Sequence, residues 1–275
     1  MRTLFRIAAA LLASLAVASA ADYIVYVGTY NRTKGKGIYA YRFQTPTGKI
    51  TPLGLIAETP HPSFLAVHPS RRFLYAANEH EGEDVKGKNN TVSAFSIDAK
   101  TGKLTFLNKV SSRGEGPCYI LVDKAGKNLL LANYRSASVA VLPIGPDSRL
   151  KEATAFDQHT GSKLPHAHGI LLSPDNRFAV VAETGLDQVR VYRFDAAAGA
   201  LAQNEPPFVE TSPGSGPRHL MFHPNGKFLY VNTEAGSTMI VYAYGAAGGS
   251  LRELQTISTL PRDFTGKSAT AELQI

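Results

Sequence analysis

The chain has 275 residues, 29 Lys and Arg against 22 Asp and Glu, and one cysteine, Cys118. A single thiol excludes an internal disulfide, so stability must come from packing. The basic excess is spread along the sequence without a basic, aromatic-interleaved run, which excludes an obvious nucleic-acid binder. The first element is MRTLFRIAAALLASLAVASA: Arg2 and Arg6, an apolar stretch from Ile7 to Val17, then the small residues Ala18-Ser19-Ala20. That order predicts a secretory signal peptide cleaved near Ala20 and a periplasmic or secreted mature protein over 21–275. No later segment is long and apolar enough to read as a membrane span, so no membrane association is expected after cleavage.

From Tyr23 onward the pattern is short apolar runs separated by turn residues. One hairpin recurs. Pro62 to Tyr75, Pro117 to Leu130, Ala167 to Val180 and Pro217 to Tyr230 each hold an apolar run, a Pro-, Gly- or Asn-bearing turn, and a second apolar run. The copies start roughly 50 residues apart, the spacing of propeller blades. A third, alternating strand follows each: Val92–Ile97, Val139–Leu142, Val189–Phe194 and Met239–Tyr244. A more polar fourth strand is predicted at Lys103–Phe106, Leu150–Ala155 and Leu251–Ile257, and Asp195–Ala200 reads as a turn. The prediction is an all-β propeller of four-stranded antiparallel blades, about five of them present, folding as a single domain and a monomer. Tyr23–Ile56 is expected to form a first blade lacking its innermost strand. Ser268–Ile275 is expected to be the innermost strand of a further blade. The propeller is then incomplete at its C-terminus, since a propeller must close or expose its sheets.

Registering the repeats gives two polar columns. Arg218 aligns with Ser63, Cys118 and His168, where the innermost strand begins. Glu234 aligns with Tyr30, Glu79, Tyr134 and Thr184, where the next strand ends. In a hairpin these ends are neighbours, so both columns should ring one mouth of a central channel, a concave polar site. His168, Glu234 and Arg218 are the candidate catalytic set: a carboxylate and an imidazole for acid–base work, and a guanidinium for an anion. A hydrogen-bonded structural histidine and a plain strand-bridging ion pair are the competing readings. Arg135, His166, His219 and Glu79, the last with His80, are candidate substrate-binding residues. His68 and His223 sit before turn prolines and read as structural, and Cys118 reads as a small buried residue before a nucleophile. Asn31-Arg32-Thr33 and Asn89-Asn90-Thr91 match the glycosylation pattern, relevant only in a eukaryotic secretory pathway. No G-x-S-x-G elbow, H-E-x-x-H pair, Walker loop or paired C-x-x-C is present.

Several segments resemble the lactonase-type seven-bladed β-propellers, which include propeller 6-phosphogluconolactonases and a carboxy-muconate lactonizing enzyme. They are Tyr26-Val27-Gly28-Thr29-Tyr30 with Gly37-Ile38-Tyr39, Pro62–Leu65, Ala76-Ala77-Asn78-Glu79, Leu131-Ala132-Asn133-Tyr134, Pro165–His168, Gly216-Pro217-Arg218-His219-Leu220 and Gln255–Pro261. The resemblance implies seven blades in a complete member and an enzyme acting on a small-molecule lactone or sugar acid without metal or organic cofactor. It places His168, Arg218 and Glu234 on the family's proposed active-site positions, and a further arginine of that site after Ile275. An exported lactonase is the leading expectation; a non-catalytic binding propeller and a muconate-lactonizing isomerase are the alternatives. Because phosphorylated gluconolactone is a cytoplasmic metabolite, the predicted signal peptide implies that an exported member acts on another lactone or sugar acid.

Overall fold

A computed structural model of the protein describes residues 22–30, 34–79 and 90–275. The predicted signal peptide, Asn31, His80 and Asn89 lie outside the described residues. Every regular element among the described residues is a strand. The first sheet holds β1 (Asp22–Gly28), β2 (Gly37–Gln44) and β3 (Lys49–Glu58). The second holds β4 (Pro62–Val67), β5 (Phe73–Asn78), β6 (Thr91–Ile97) and β7 (Leu104–Ser111). The third holds β8 (Pro117–Val122), β9 (Asn128–Asn133), β10 (Ser138–Pro143) and β11 (Ala155–Gln158). The fourth holds β12 (Ala167–Leu172), β13 (Phe178–Glu183), β14 (Gln188–Asp195) and β15 (Ala200–Glu210). The fifth holds β16 (Pro217–Phe222), β17 (Phe228–Thr233), β18 (Thr238–Gly245) and β19 (Ser250–Ser258).

Each sheet is an antiparallel meander in sequence order, three-stranded in the first and four-stranded in the other four. The leading strands β4, β8, β12 and β16 pack against one another in turn, so the sheets radiate from a shared centre. Their packing explains why the second strands are apolar along their middles. Leu129 and Leu131 of β9 pack towards Tyr75, Ala77 and Ala94 of the second sheet. Leu130 and Ala132, on the opposite face, pack against Ile170, Ala179 and Val181 of the fourth. A strand covered on both faces needs apolar side chains at both parities of its period of two. β13 repeats this: Ala179 and Val181 face the third sheet, while Val180 and Ala182 face Leu220, Leu229 and Val231 of the fifth.

Two expectations are corrected. Residues 268–275 form no strand. The segment gains no ladder; Thr270 N–H donates to Glu234 O at 3.1 Å, and the backbone runs over the polar end of the fifth sheet instead. The fourth strand of the third sheet runs over Ala155–Gln158 rather than Leu150–Ala155. Ile144 and Leu150 form an isolated bridge around a tight turn, with Gly145 N–H donating to Arg149 O and Ser148 at φ 61°, and this delays the return of the backbone to β10. The reversal at Asp195–Ala200 is as predicted.

Candidate active site

The leading strand of every four-stranded sheet carries the same irregularity. The ladder slips by one residue between Pro62 and Phe64, Pro117 and Tyr119, Ala167 and Gly169, and Pro217 and Leu220. These are bulges, and they fall on Ser63, Cys118, His168 and Arg218, the first polar column. A bulge takes a residue out of the ladder and re-aims its side chain. In β16 the displaced backbone stays satisfied, because His219 N–H donates to Asn232 Oδ1 at 2.8 Å.

A second repeated bond sets the other column. The N–H groups of Glu79, Tyr134, Thr184 and Glu234 donate to the carbonyls of His61, Gly116, His166 and Gly216, at 2.9, 2.7, 2.9 and 2.7 Å. Each acceptor lies two residues before a bulged column residue. Gly216 is at φ 63°, and a Cβ there would sit 3.1 Å from Thr184 Cγ2, so glycine suits the position twice over.

Together these devices build one cavity of about 460 Å³ at the polar ends of the sheets. Ser63, Cys118, His168 and Arg218 line it from the first column, and Tyr30, Glu79, Tyr134 and Glu234 from the second. Phe64, His219, Ala271 and Glu272 complete the lining. Arg218 Nε donates to Glu234 Oε2 at 3.2 Å, with the guanidinium more buried than the carboxylate. Arg218 Nη1 donates to Ala271 O and, at 3.4 Å, to His219 Nε2. Tyr30 OH donates to Glu79 Oε2 at 2.7 Å, so the first and second sheets are joined across the mouth.

His168 is 9% exposed and its Nδ1 has no partner. Its ring lies 5.0 Å from that of His219 and 5.6 Å from that of Tyr134. Burial, then the Arg218 guanidinium and His219, push its pKa down to about 2, so the imidazole is neutral. Burial also lowers His219, an effect which Glu272, with Oε1 3.3 Å from His219 Nδ1, offsets only in part. Cys118 donates its thiol to His168 O at 3.3 Å, and burial followed by the Glu79 charge pushes it up, away from a thiolate nucleophile.

Of the sequence candidates, His168, Glu234, Arg218, His219 and Glu79 meet in this cavity. Arg135 does not; it sits exposed in the turn after β9, its side chain over Gly116. His166 stands behind the lining, stacked on Tyr134 at 4.3 Å with Nδ1 3.0 Å from Tyr134 O, and it supports that ring rather than the cavity. His68 bonds Ser70 and Gly126 O, a turn role as expected. Thr184 of the second column donates to Pro217 O instead of facing the cavity.

Sequence reasoning missed three groups. Phe64 reaches the cavity because the bulge lets two successive residues face it, and it stacks on Tyr119 at 4.1 Å. Glu183 is wholly buried and accepts from His166 N–H and pairs with His159 Nδ1. His159 Nε2 in turn meets Tyr192 OH at 2.9 Å, and that hydroxyl donates to Asp157 Oδ2 at 2.7 Å. The signal was there: Glu183 ends an apolar run where the other copies have Asn78, Asn133 and Thr233. The third is Asp187, which accepts from the backbone just ahead of Arg218 and gives no signal in the repeat pattern. Among the described residues no group of three or more His, Cys, Asp or Glu is arranged to hold a metal ion.

A family model described as "Lactonase, 7-bladed beta-propeller" matches residues 24–275. The protein is 32% identical over 259 residues to 6-phosphogluconolactonase of Bacillus subtilis, covering 92% of this chain and 71% of that one. A solved periplasmic gluconolactonase of Pseudomonas aeruginosa superposes with a TM-score of 0.83 at 34% identity, over 90% of this chain and 71% of that one. A solved protein from Lactobacillus plantarum matches with a TM-score of 0.80 at 29% identity, over 90% and 71%. The meandering sheets, the shared polar mouth and these matches lead to one conclusion: the chain belongs to the lactonase family of seven-bladed β-propellers.

Proposed function

We propose that the protein is a lactonase that opens a sugar-derived lactone at the channel mouth. The observation that carries this reading is the convergence of Arg218, Glu234 and His168 on one cavity, from residues spread over 67 positions of sequence (168–234). The names of the relatives, 6-phosphogluconolactonase and gluconolactonase, support a sugar lactone as substrate. The basic–apolar–small order of residues 1–20 and the periplasmic neighbour support an exported protein.

In hydrolysis, water adds to the ring carbonyl carbon and loses a proton while the carbonyl oxygen becomes an oxyanion; the oxyanion then re-forms the C=O bond as the ring C–O bond breaks, and the ring oxygen takes up a proton, leaving a hydroxy acid. Glu234 is the base that accepts the proton of water and later returns it to the ring oxygen. Arg218, bonded to Glu234 at Nε, stands where it can stabilise the oxyanion or a substrate carboxylate. His168, hard to protonate, is a neutral hydrogen-bond partner for the bound lactone rather than the base. Phe64 supplies an apolar wall.

The test is turnover of δ-gluconolactone and its 6-phosphate by wild type, Glu234→Gln and His168→Ala. Loss of a general base lowers the rate on the order of 10²–10⁴-fold, so Glu234→Gln should be nearly inactive while its melting temperature stays close to that of wild type. Full activity in both variants would show the site to be elsewhere. A wild type that opens no lactone would favour a non-catalytic binding propeller.

A further inference from the structure

Asp187 lies outside the cavity, in the turn between β13 and β14, and its side chain is 8% exposed. Its Oδ1 accepts from Gly216 N–H at 3.0 Å and its Oδ2 from Gly214 N–H at 2.8 Å. Lys163 Nζ donates to the same Oδ2 at 2.7 Å, from a side chain 55% exposed. Asp187 O accepts from Thr211 N–H at 2.8 Å, so one residue holds the loop between β15 and β16 at both ends. That loop delivers the two members of the Arg218–Glu234 pair. Gly216 precedes Pro217 and Arg218 in sequence, and its carbonyl takes the N–H of Glu234. Ser215 O, next to it, takes the N–H of Gly236 at 2.9 Å.

We propose that Asp187 is a positioning residue for the Arg218–Glu234 pair, acting through Gly216. The proposal rests on the functional reading of that pair as lactone-opening machinery. Two features mark Asp187 as more than a turn former. The equivalent tie in the third sheet, Asn90 Oδ1 to Gly116 N–H at 2.9 Å, uses one neutral amide oxygen ahead of Cys118, which the chemistry does not use. Ahead of Arg218 the tie is a carboxylate whose two oxygens accept three donors, so neither N–H can drift without leaving a buried charge short of a partner. A displacement of about 1 Å in a catalytic group can cost on the order of 10²-fold in rate.

The experiment measures kcat and KM for lactone opening together with melting temperature. Asp187→Asn keeps one acceptor oxygen and places an NH2 group against a donor. It should lower kcat by about 10- to 100-fold with KM within about threefold. Asp187→Glu keeps the charge on a longer arm, should fold, and should lose kcat in the same way. Lys163→Ala should stay within about twofold of wild type, because the ammonium adds charge and no geometry to the loop. In the background of Glu234→Gln, Asp187→Asn should cost less than it does in wild type, since part of its effect acts through Glu234. The proposal is overturned if Asp187→Glu folds and turns over at the wild-type rate, if Lys163→Ala falls as far as Asp187→Asn, or if the double variant shows the product of the two single losses. If Glu234→Gln itself is fully active, the reading of the pair fails first and this one with it. An inactive Glu234→Gln beside fully active Asp187 variants overturns the positioning role alone.

Discussion

The neutral state of His168 has a measurable consequence for acid stability. In the unfolded protein this imidazole has its ordinary pKa of 6.5, whereas in the folded protein it is pushed down to about 2. Below pH 6.5 the unfolded state therefore binds a proton that the folded state refuses, so stability falls as pH falls and levels off only near the folded value. One pKa unit is about 1.4 kcal/mol. Between pH 7 and pH 4.5 the site should thus cost about 3 kcal/mol, a large share of the roughly 5–15 kcal/mol of a typical domain. The perturbation is His168→Gln, which removes the titration while filling similar space. Urea unfolding at both pH values should show wild type losing about 3 kcal/mol more than the variant on acidification; carboxylates such as Asp187 titrate in both proteins and cancel in the comparison. Equal losses in the two proteins, or an NMR titration placing His168 near pH 6.5 in the folded state, would refute the reasoning. Its burial between Tyr134 and His219 would then not be what the ring experiences in solution.

Other outcomes follow from the packing. Leu131, fully buried between the second and third sheets, should cost about 2–5 kcal/mol on replacement by alanine, read from denaturant midpoints at constant slope. Glu183→Ala strips an acceptor from His159 and from the backbone of His166 at a fully buried site, and should cost about 3–5 kcal/mol; a loss under 1 kcal/mol would mean that water replaces the carboxylate. Cys118 should resist iodoacetamide at pH 8 in the folded protein and react promptly in urea, because its thiol is buried and pushed up. Rapid alkylation of the native protein would show that the cavity opens further than its lining implies. The Asp187 carboxylate, which burial alone would raise, is held below the ordinary range by Lys163 and the Gly214 and Gly216 amides. Its contribution to stability is therefore present at neutral pH and is lost as pH falls through that lowered value. The extra acid lability this gives wild type over Asp187→Asn should appear only below about pH 4.

Much of the site was readable from repetition. Four hairpins with the same turn and the same apolar runs put Ser63, Cys118, His168 and Arg218 in one column and Glu79, Tyr134, Thr184 and Glu234 in another. A period-two strand then leaves only one end of each sheet for them. All but Thr184 reach the same cavity. Arg135 stands outside the cavity for a local reason: it lies one residue beyond Tyr134, where the turn has already carried the backbone outwards into solvent. His166 stands behind the lining for a similar one, since it precedes the bulge at His168 and its ring is taken up by Tyr134.

Composition, repeat spacing and the alternation of apolar residues were enough to determine an all-β protein of successive antiparallel sheets with a polar end, because backbone pairing and burial act on every copy alike. The tertiary structure alone decided the chemistry of that end. Burial makes His168 neutral, the bulges bring Phe64 and His219 in beside their column neighbours, and two carboxylates, Glu183 and Asp187, tie the segments that carry His168 and Arg218. The physical reason is range. Strand formation answers to neighbours a few residues away, whereas desolvation and hydrogen-bond networks depend on groups such as Asp187 and Gly216, which are distant in sequence and meet only when the sheets assemble.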